Sequence, residues 1–400
     1  MNVLVLTQFY PPESCAASSR TQAVTKALVD AGHQVHVITA HPSFPAGTFP
    51  QGCRPWRFAA EVRDGVNILR VPTYASPRLR GRDRLFNWAS VSLGATISAL
   101  AVRRRIDCVY VTCPPVTLAL PALAVAKARR CPLFVDVRDS YPDVAVKMGA
   151  WREDSLLTRT VARVVRRLYG AADAVACVTQ TVANEVRDRG ADPAKILIAP
   201  NGFDAVEPST RAPFSRDGDD FVVAFAGNIG VATGVDVIID AAQRVSDLKH
   251  VRFVLAGGGS AFEEIRLRRD RYGLENTSLL GPLDRPVALA VLRDADLCVV
   301  PLKRGIHDSL PTKIFDSLYV GCPVLVSGDG EAGDFASRSG GGWSVAAEDP
   351  DALAQAIRKA AADREACRRA GATGRDYVRA NWSRSRGVSA IVERIATIRN

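Results

Sequence analysis

Apolar residues follow two alternating patterns along this chain. Short, nearly continuous blocks rich in Val, Ile, Leu and Ala lie at 2–6, 35–39, 66–71, 108–112, 133–137, 174–178 and 196–199. Such blocks suit strands that are covered on both faces. Between them, apolar positions spaced three and four apart predict helices. One runs to Asp30, capped by Ser18 or Ser19 and closed by Gly32. Others fall at 85–102, 116–128 and 154–170, and one more lies before 196. Pro200-Asn201-Gly202-Phe203-Asp204 then opens a polar segment that runs to Asp220, and this is the strongest boundary in the chain. Beyond it the alternation restarts, with strands near 221–226, 251–256, 277–280, 296–300, 322–327 and 343–346, and the chain ends in helices after Asp349. The expected architecture is α/β, with two domains built on mostly parallel sheets and a cleft between them for ligands. The expected domains are 1–200, a linker at 201–220, and 221–380, with a last helix at 381–400 packing back on the first domain.

Residues 85–102 are 18 residues without a charge, the bare minimum for a membrane span. Asn87, Ser90, Ser92, Thr96 and Ser98 dilute the run, and arginines flank it at 78, 80, 82, 84 and 103–105. A buried or half-buried helix is the first reading. A helix lying in a bilayer interface, with its arginines on headgroups, is the second.

Composition adds charge asymmetry to this picture. The 400 residues are 47% hydrophobic and 24% charged, ordinary for two globular domains. The net charge of +10 is not spread evenly: residues 1–200 hold 26 Lys and Arg against 15 Asp and Glu, and residues 201–400 hold 26 against 27. Nucleic acid and anionic membrane are the usual partners of such a basic half. No aromatic-rich RNA motif, zinc finger or basic heptad region is present, so nucleic acid is not expected. An anionic membrane surface or a lipid diphosphate remains, beside a basic surface that serves only solubility. The nine cysteines are scattered without a C-x-x-C pair, which fits a reducing cytoplasm. The apolar residues at 2–6 lack the basic flank of a signal peptide.

The richest chemistry lies at 307–327. A strand feeds a loop, Pro311 suits a helix start, Ile314, Phe315, Leu318 and Tyr319 recur at helical spacing, and Gly321 ends the helix before the next strand. Unpaired N–H groups at the helix start can bind phosphate, Lys313 can neutralise it, and Asp316 can accept from sugar hydroxyls. That set suits a nucleotide-sugar at the carboxyl end of a parallel sheet. An ordinary surface helix with one Lys and one Asp is the other reading. Gly227-Asn228-Ile229-Gly230 could turn backbone N–H groups to phosphates. Gly257-Gly258-Gly259 either admits a nucleotide closely or makes a tight turn. Gly328 to Gly333 matches G-x-G-x-x-G, with Glu348 at the distance of a ribose-binding acid, but so late in a domain it reads as a turn. Asp139, beside Arg138, either takes a proton from an acceptor hydroxyl or forms a salt bridge. Arg20 sits at a helix start that disfavours a cation, so it points to a bound anion or to a salt bridge. Asp217 and Asp219 belong to a solvated run, and the five histidines form no H-E-x-x-H set, so no catalytic metal is expected. No Walker A loop or G-x-S-x-G elbow is present.

Seven motifs stand in one order: Tyr10-Pro11-Pro12-Glu13 with Arg20; Gly32-His33-Gln34-Val35; His41-Pro42 through Pro45 and Gly47; Arg138-Asp139 with Tyr141-Pro142; Pro200-Asn201-Gly202 with Asp204; Ala226 to Gly230; and Leu310 to Asp316 through Gly321 and Pro323-Val324. In that order the chain resembles the retaining, GT4-type nucleotide-sugar glycosyltransferases. The branch it most resembles makes bacterial surface polysaccharides and includes amino-deoxy-sugar transferases of O-antigen and colanic acid assembly. The resemblance implies a GT-B fold, two Rossmann-like domains facing a central cleft. It implies an acceptor side with Arg20, His41, Arg138 and Asp139. It implies a donor side with Gly227, Asn228, Gly230, Gly258, Lys303, Ser309, Leu310, Lys313 and Asp316. Catalytic roles fall to Asp139, Lys313 and Asp308. It implies retention at the anomeric carbon, a donor phosphate oxygen that helps take the acceptor proton, and neither metal nor cofactor. The co-substrate is then a nucleoside-diphosphate sugar, UDP-linked, carrying an N-acetylated amino or deoxy hexose. The acceptor is a lipid-diphosphate-linked glycan, and the enzyme is cytoplasmic, peripheral to the inner face of the plasma membrane. There are departures. The family's paired glutamates, eight residues apart, correspond to Asp308 and Asp316, each a methylene shorter. Its basic pair falls on Asn228 and Thr233, so Lys313, with Lys303 or Arg304, must face the diphosphate. Ala16-Ala17 replaces a glycine pair. Two other functions stay open: a nucleotide-sugar epimerase or hydrolase on the same fold, which needs no acceptor, and a catalytically weak glycan-binding subunit, which binds no donor.

Overall fold

A computed structural model describes residues 1–13, 15–44, 46–77, 81–147, 149–230, 233–305 and 310–398. The chain divides into two compact units, Met1–Asn201 with Arg384–Asn400, and Gly202–Ser383.

The first unit runs β1 (Asn2–Leu6), α1 (Ala16–Asp30), β2 (Gln34–Ala40), β3 (Ala59–Arg63), β4 (Val66–Val71), α2 (Gly81–Ala101), β5 (Cys108–Cys113), α3 (Ala119–Arg129), β6 (Leu133–Val137), α4 (Asp143–Lys147), α5 (Leu156–Ala171), β7 (Ala174–Cys177), α6 (Gln180–Asp188) and β8 (Ile196–Ile198). Among the described residues these strands form an eight-stranded sheet in the order β3-β4-β2-β1-β5-β6-β7-β8. Its pairs are parallel except β3 with β4. The sheet is apolar on both faces because helices cover both. Leu4, Leu6, Val109 and Val111 meet Trp88, Val91 and Ala95 of α2, Ala122 of α3 and Val165 of α5. Val3, Val5, Cys108 and Tyr110 face the opposite way, toward Val24 and Leu28 of α1. The last helix, α14 (Arg384–Thr397), joins that second layer through Val388, Ile391 and Ile395.

Three local expectations change. Cys15, not Ser18 or Ser19, is the N-cap of α1, without a side-chain cap, and both serines lie inside the first turn. A 3-10 turn at Val116–Leu118 precedes α3. The edge strand β3 has no apolar run to announce it, since Ala59-Ala60-Glu61-Val62-Arg63 exposes both faces.

The second unit continues with β9 (Phe221–Ala226), α7 (Asp236–Arg244), β10 (Val251–Ala256), α8 (Phe262–Arg271), β11 (Thr277–Gly281), α9 (Arg285–Arg293), β12 (Leu297–Pro301), α10 (Thr312–Tyr319), β13 (Val324–Ser327), α11 (Glu331–Arg338), β14 (Gly342–Val345), α12 (Pro350–Ala362) and α13 (Arg364–Asn381). Its sheet is wholly parallel, in the order β11-β10-β9-β12-β13-β14. The segment expected as a linker, 201–220, is packed against this sheet's helices. Phe203 stacks on Tyr319 with centroids 4.5 Å apart, the Ser209 N–H donates to the Pro286 carbonyl at 2.9 Å, and Arg216 pairs with Asp296. The G-x-G-x-x-G segment is more than a turn. Gly330, at φ 76°, is the N-cap of α11, so the glycine opens a helix at the carboxyl end of β13. No helix among the described residues is long and apolar enough to cross a membrane.

Candidate functional site

In the second sheet, strand order reverses between β9 and β12, and ligands of open parallel sheets bind outside the carboxyl ends at such a switch point. The chain leaves β9 through Gly227, at φ 149°. Nearby, α10 is anchored by Ile314, Phe315 and Leu318 in the core, and no side chain caps its N-terminus at Pro311. This places Lys313 over the ring of Phe225, with Nζ 4.4 Å from the centroid. A Cβ at Gly227 would lie 3.4 Å from the Lys313 Cε, an ordinary contact, so it is the backbone angle and not the lysine that asks for glycine here. Burial draws the Lys313 amine down to about 8, and among the described residues no carboxylate offsets that. An unpaired cation beside the positive end of a helix is unfavourable in isolation. An anion bound there would relieve both terms.

The neighbouring candidates divide. The Gly227 N–H donates to the Ala256 carbonyl at 2.9 Å and the Gly230 N–H to Thr233 Oγ1 at 3.2 Å. These N–H groups are spent inside the protein, which corrects the expectation that they face phosphate. The glycines instead let two loops cross. A side chain at Gly257 would overlap the Gly227 carbonyl, and one at Gly259 would meet the exposed Asn228. Gly258 is not pressed in this way, with Pro282 at 3.6 Å from its would-be Cβ. Lys303 is already neutralised, lying 3.2 Å from Asp236 and 2.9 Å from Glu348. It therefore does not share the phosphate role with Lys313. Leu310 is buried in the core with Ile314. Asp308 and Ser309 lie outside the described residues. Asp316 accepts from Arg285 at 2.7 Å, and the same guanidinium donates to Asp204 at 2.8 Å. Arg285 was not foreseen. The signal available was Asp204 and Asp316, two motif acids that need a common cation.

In the first unit, Arg20 is buried with Asp136, joined by two bonds of 2.8 Å. Its Nη1 also donates to the Pro200 carbonyl at 3.3 Å, and Tyr110 donates to Asp136 at 2.7 Å. The anion that answers the cation at the α1 start is thus internal, and Arg20 is no acceptor ligand. Burial pushes the Asp136 carboxyl up, but Arg20 and Tyr110 more than offset this and hold it below the usual range. His41 is likewise spent. It is buried, its Nε2 lies 2.8 Å from the Arg57 carbonyl, and its backbone N–H donates to Thr73 Oγ1. Arg138 donates to the Pro114 carbonyl at 2.7 Å, and its Nε is buried without a partner. Beside it, Asp139 reaches the surface, yet packed neighbours raise its carboxyl, with Arg138 opposing.

A cavity of about 240 Å³ opens in this unit, lined by Gln8, Phe9, Phe44, Asn87, Trp88 and Tyr141 among others. It lies at the switch point of the first sheet, between β1 and β5. Trp88 meets Tyr141 edge-on at 5.5 Å, and Phe9 meets Phe44 at 5.3 Å. Gln8 donates to Asn87 at 2.5 Å, which adds a polar element to aromatic walls. Such a cavity can stack a sugar ring and bond its hydroxyls. Trp88 and Asn87, which line this cavity, were not among the expected residues because both lie inside the uncharged run 85–102. Among the described residues no cluster of three His, Cys, Asp or Glu could hold a metal ion.

Comparison with known proteins agrees along the whole length. The Glycosyl transferase 4-like domain family model matches residues 16–202, and that of Glycosyl transferases group 1 matches residues 206–377. WcaI of Escherichia coli K12, named as a colanic acid biosynthesis glycosyl transferase, is 24% identical over 377 residues, 90% of this chain and 92% of WcaI. Among solved structures, sucrose-phosphate synthase from Thermosynechococcus elongatus superposes with a TM-score of 0.77 at 17% identity, over 98% of this chain and 97% of its own. HepE of Anabaena, solved with UDP and glucose, gives 0.69 at 16% identity, over 99% of both chains. With two parallel-sheet α/β units that match such structures end to end, and a family model on each, the chain belongs to the GT4-type glycosyltransferases of GT-B fold.

Proposed function

We propose that this enzyme moves a sugar from a nucleoside-diphosphate donor to a lipid-linked glycan, with retention and without a metal, in surface polysaccharide synthesis. The observation that carries the reading is Lys313, a half-buried cation that has no acid partner among the described residues, at the uncapped start of α10. A diphosphate supplies the missing charge, and Lys313 then stabilises the negative charge that grows on it as the sugar leaves. Asp316, oriented by Arg285, accepts from donor hydroxyls with its carboxylate. In the first unit, the aromatic cavity receives acceptor sugar and Asp139 orients the attacking hydroxyl. The donor is expected to be UDP-linked, as in the HepE structure, and the colanic acid biosynthesis in WcaI's name supports a surface glycan as the product. Such an acceptor would place the enzyme at the cytoplasmic face of the membrane.

A panel of nucleotide-sugars, scored by thermal stabilisation and then by nucleotide release with and without a lipid-diphosphate-linked acceptor, tests this. Release that depends on the acceptor and persists in EDTA is expected. Release equally fast without acceptor would make the protein a hydrolase, and no stabilisation by any donor would end the reading. Asp316→Ala is expected to weaken donor binding about tenfold or more, the worth of one bond to a charged group. Asp139→Asn is expected to leave donor affinity unchanged and slow transfer. Transfer at the wild-type rate would remove Asp139 from the chemistry.

A further inference from the structure

One face of the first unit gathers most of the chain's surplus charge. The helices α2, α3 and α5 lie on the same side of the sheet. Together with the Arg103–Arg105 run they carry eleven Lys and Arg and a single acid, Asp83. Among the described residues, no ion pair engages Arg159, Arg163, Arg166 or Arg167 of α5, all of them exposed. Folding gives no reason for this concentration, since like charges on neighbouring helices repel.

The same face holds an unusual helix. One side of α2 is core, through Trp88, Val91, Ala95 and Ala99. The other side exposes Phe86, Leu93, Ile97 and Leu100, at 61%, 65%, 55% and 48%. Steps of seven, four and three residues put these four on one stripe. Arg82 and Arg84 stand at one end of it and Arg103, Arg104 and Arg105 at the other, all exposed. Leu120 of α3 and Leu156 of α5 add exposed apolar side chains to the same layer. A helix with apolar stripes on two opposite sides needs an apolar medium on both, and the core provides only one. Arg129 ties down the end of the helix by donating to the carbonyls of Leu100 and Val102.

We infer that this α2–α3–α5 face docks flat on an anionic lipid surface, with the Phe86–Leu100 stripe below the headgroups and the arginines on their phosphates. The inference rests on the lipid-linked acceptor proposed above and names the surface that would meet it. Apolar stripe and cationic border are both required of an interfacial helix. Nucleic acid would answer the charge and leave the stripe wet. A second copy would cover the stripe and bring like charges together.

The test is co-sedimentation of the full chain with vesicles of phosphatidylethanolamine and phosphatidylglycerol, against vesicles of phosphatidylcholine alone. Binding to the anionic vesicles is expected, lost for the most part at roughly 0.5 M salt. The combined variant Leu93→Ser, Ile97→Ser should lower it at least tenfold. Arg159→Gln, Arg163→Gln, Arg166→Gln, which alters only exposed side chains, should lower it about a hundredfold. Both variants should bind UDP-sugar as the wild type does, which also reports that they are folded. The inference falls if the wild type ignores anionic vesicles, or if the arginine variant binds them undiminished. It falls too if light scattering shows a dimer that the Leu93 and Ile97 changes dissolve, or if an oligonucleotide is held and vesicles are not. Vesicle binding lost with donor binding intact rejects this face alone. Donor binding absent with vesicle binding intact rejects the transferase reading instead.

Discussion

Lys313→Met is expected to weaken donor binding by about ten- to a hundredfold, corresponding to the roughly 1.5–3 kcal/mol of a bond to a charged group. It is also expected to raise the melting temperature of the free protein. Both effects follow from one geometry. The half-buried side chain holds its amine above the Phe225 ring at a helix start, and among the described residues no carboxylate balances it. Before donor arrives this is a cost, and methionine of similar length removes it. After donor arrives the same charge is the main attraction for the diphosphate. The pH dependence carries a matching signature. Because the amine lies near 8 in the folded protein, donor affinity should fall as pH rises through about 8, while the variant's affinity stays level. For stability the sign is opposite. The penalty for holding a charged Lys313 is full below about 8 and is relieved as pH climbs from there toward the ordinary lysine range. Isothermal titration across pH, with melting curves of the free proteins, checks both. A variant that binds donor like the wild type would move the phosphate site elsewhere.

Arg20→Ala is expected to destabilise the first unit by about 3–5 kcal/mol, because it strands a buried carboxylate. Asp136 would keep only the Tyr110 hydroxyl as a partner among those described above. Asp136→Asn strands the Arg20 cation in turn, but should cost less, because the amide oxygen still accepts from the guanidinium and so does the Pro200 carbonyl. Replacing both, Arg20→Met with Asp136→Leu, should recover much of the loss, because no charge is left without its partner. Urea unfolding of the three variants separates these outcomes. In the wild type, Asp136 titrates below the usual carboxylate range. Its contribution is therefore complete above the unfolded carboxylate pKa and fades only as pH falls through the lower, folded value. A mild loss in Arg20→Ala would mean that water reaches the pair.

Much of the frame was legible from residues because both sheets are covered on two sides. Covering makes a strand read as an unbroken apolar run, and 221–226 and 251–256 were placed to the residue. The same logic hid β3, an edge strand that buries neither face. Site residues were harder, because sequence shows a residue's chemistry and not its neighbours. Lys313 was found by its position at a helix start, and that no acid among the described residues pairs with it appeared only in three dimensions. Lys303 looked equivalent until Asp236 and Glu348, far away in sequence, closed on it. Arg20 carried a true signal, a cation at the wrong end of a helix, but the answering anion was Asp136 inside a strand. A lone acid in Leu133-Phe134-Val135-Asp136-Val137 was the clue to that pairing. Glycines misled in a different way. Gly227 and Gly257 are needed for loops that touch each other, and sequence cannot tell that need from a ligand's.

The return of α14 to the first unit has a consequence for the order of events on the ribosome. The second unit is one continuous stretch and can close as soon as Ser383 has emerged. The first unit begins earlier and finishes later. Until Arg384 and the residues after it appear, Val24, Leu28 and the strand residues behind them lack the cover of Val388, Ile391 and Ile395. The nascent chain therefore carries an open apolar face through the synthesis of its whole second half.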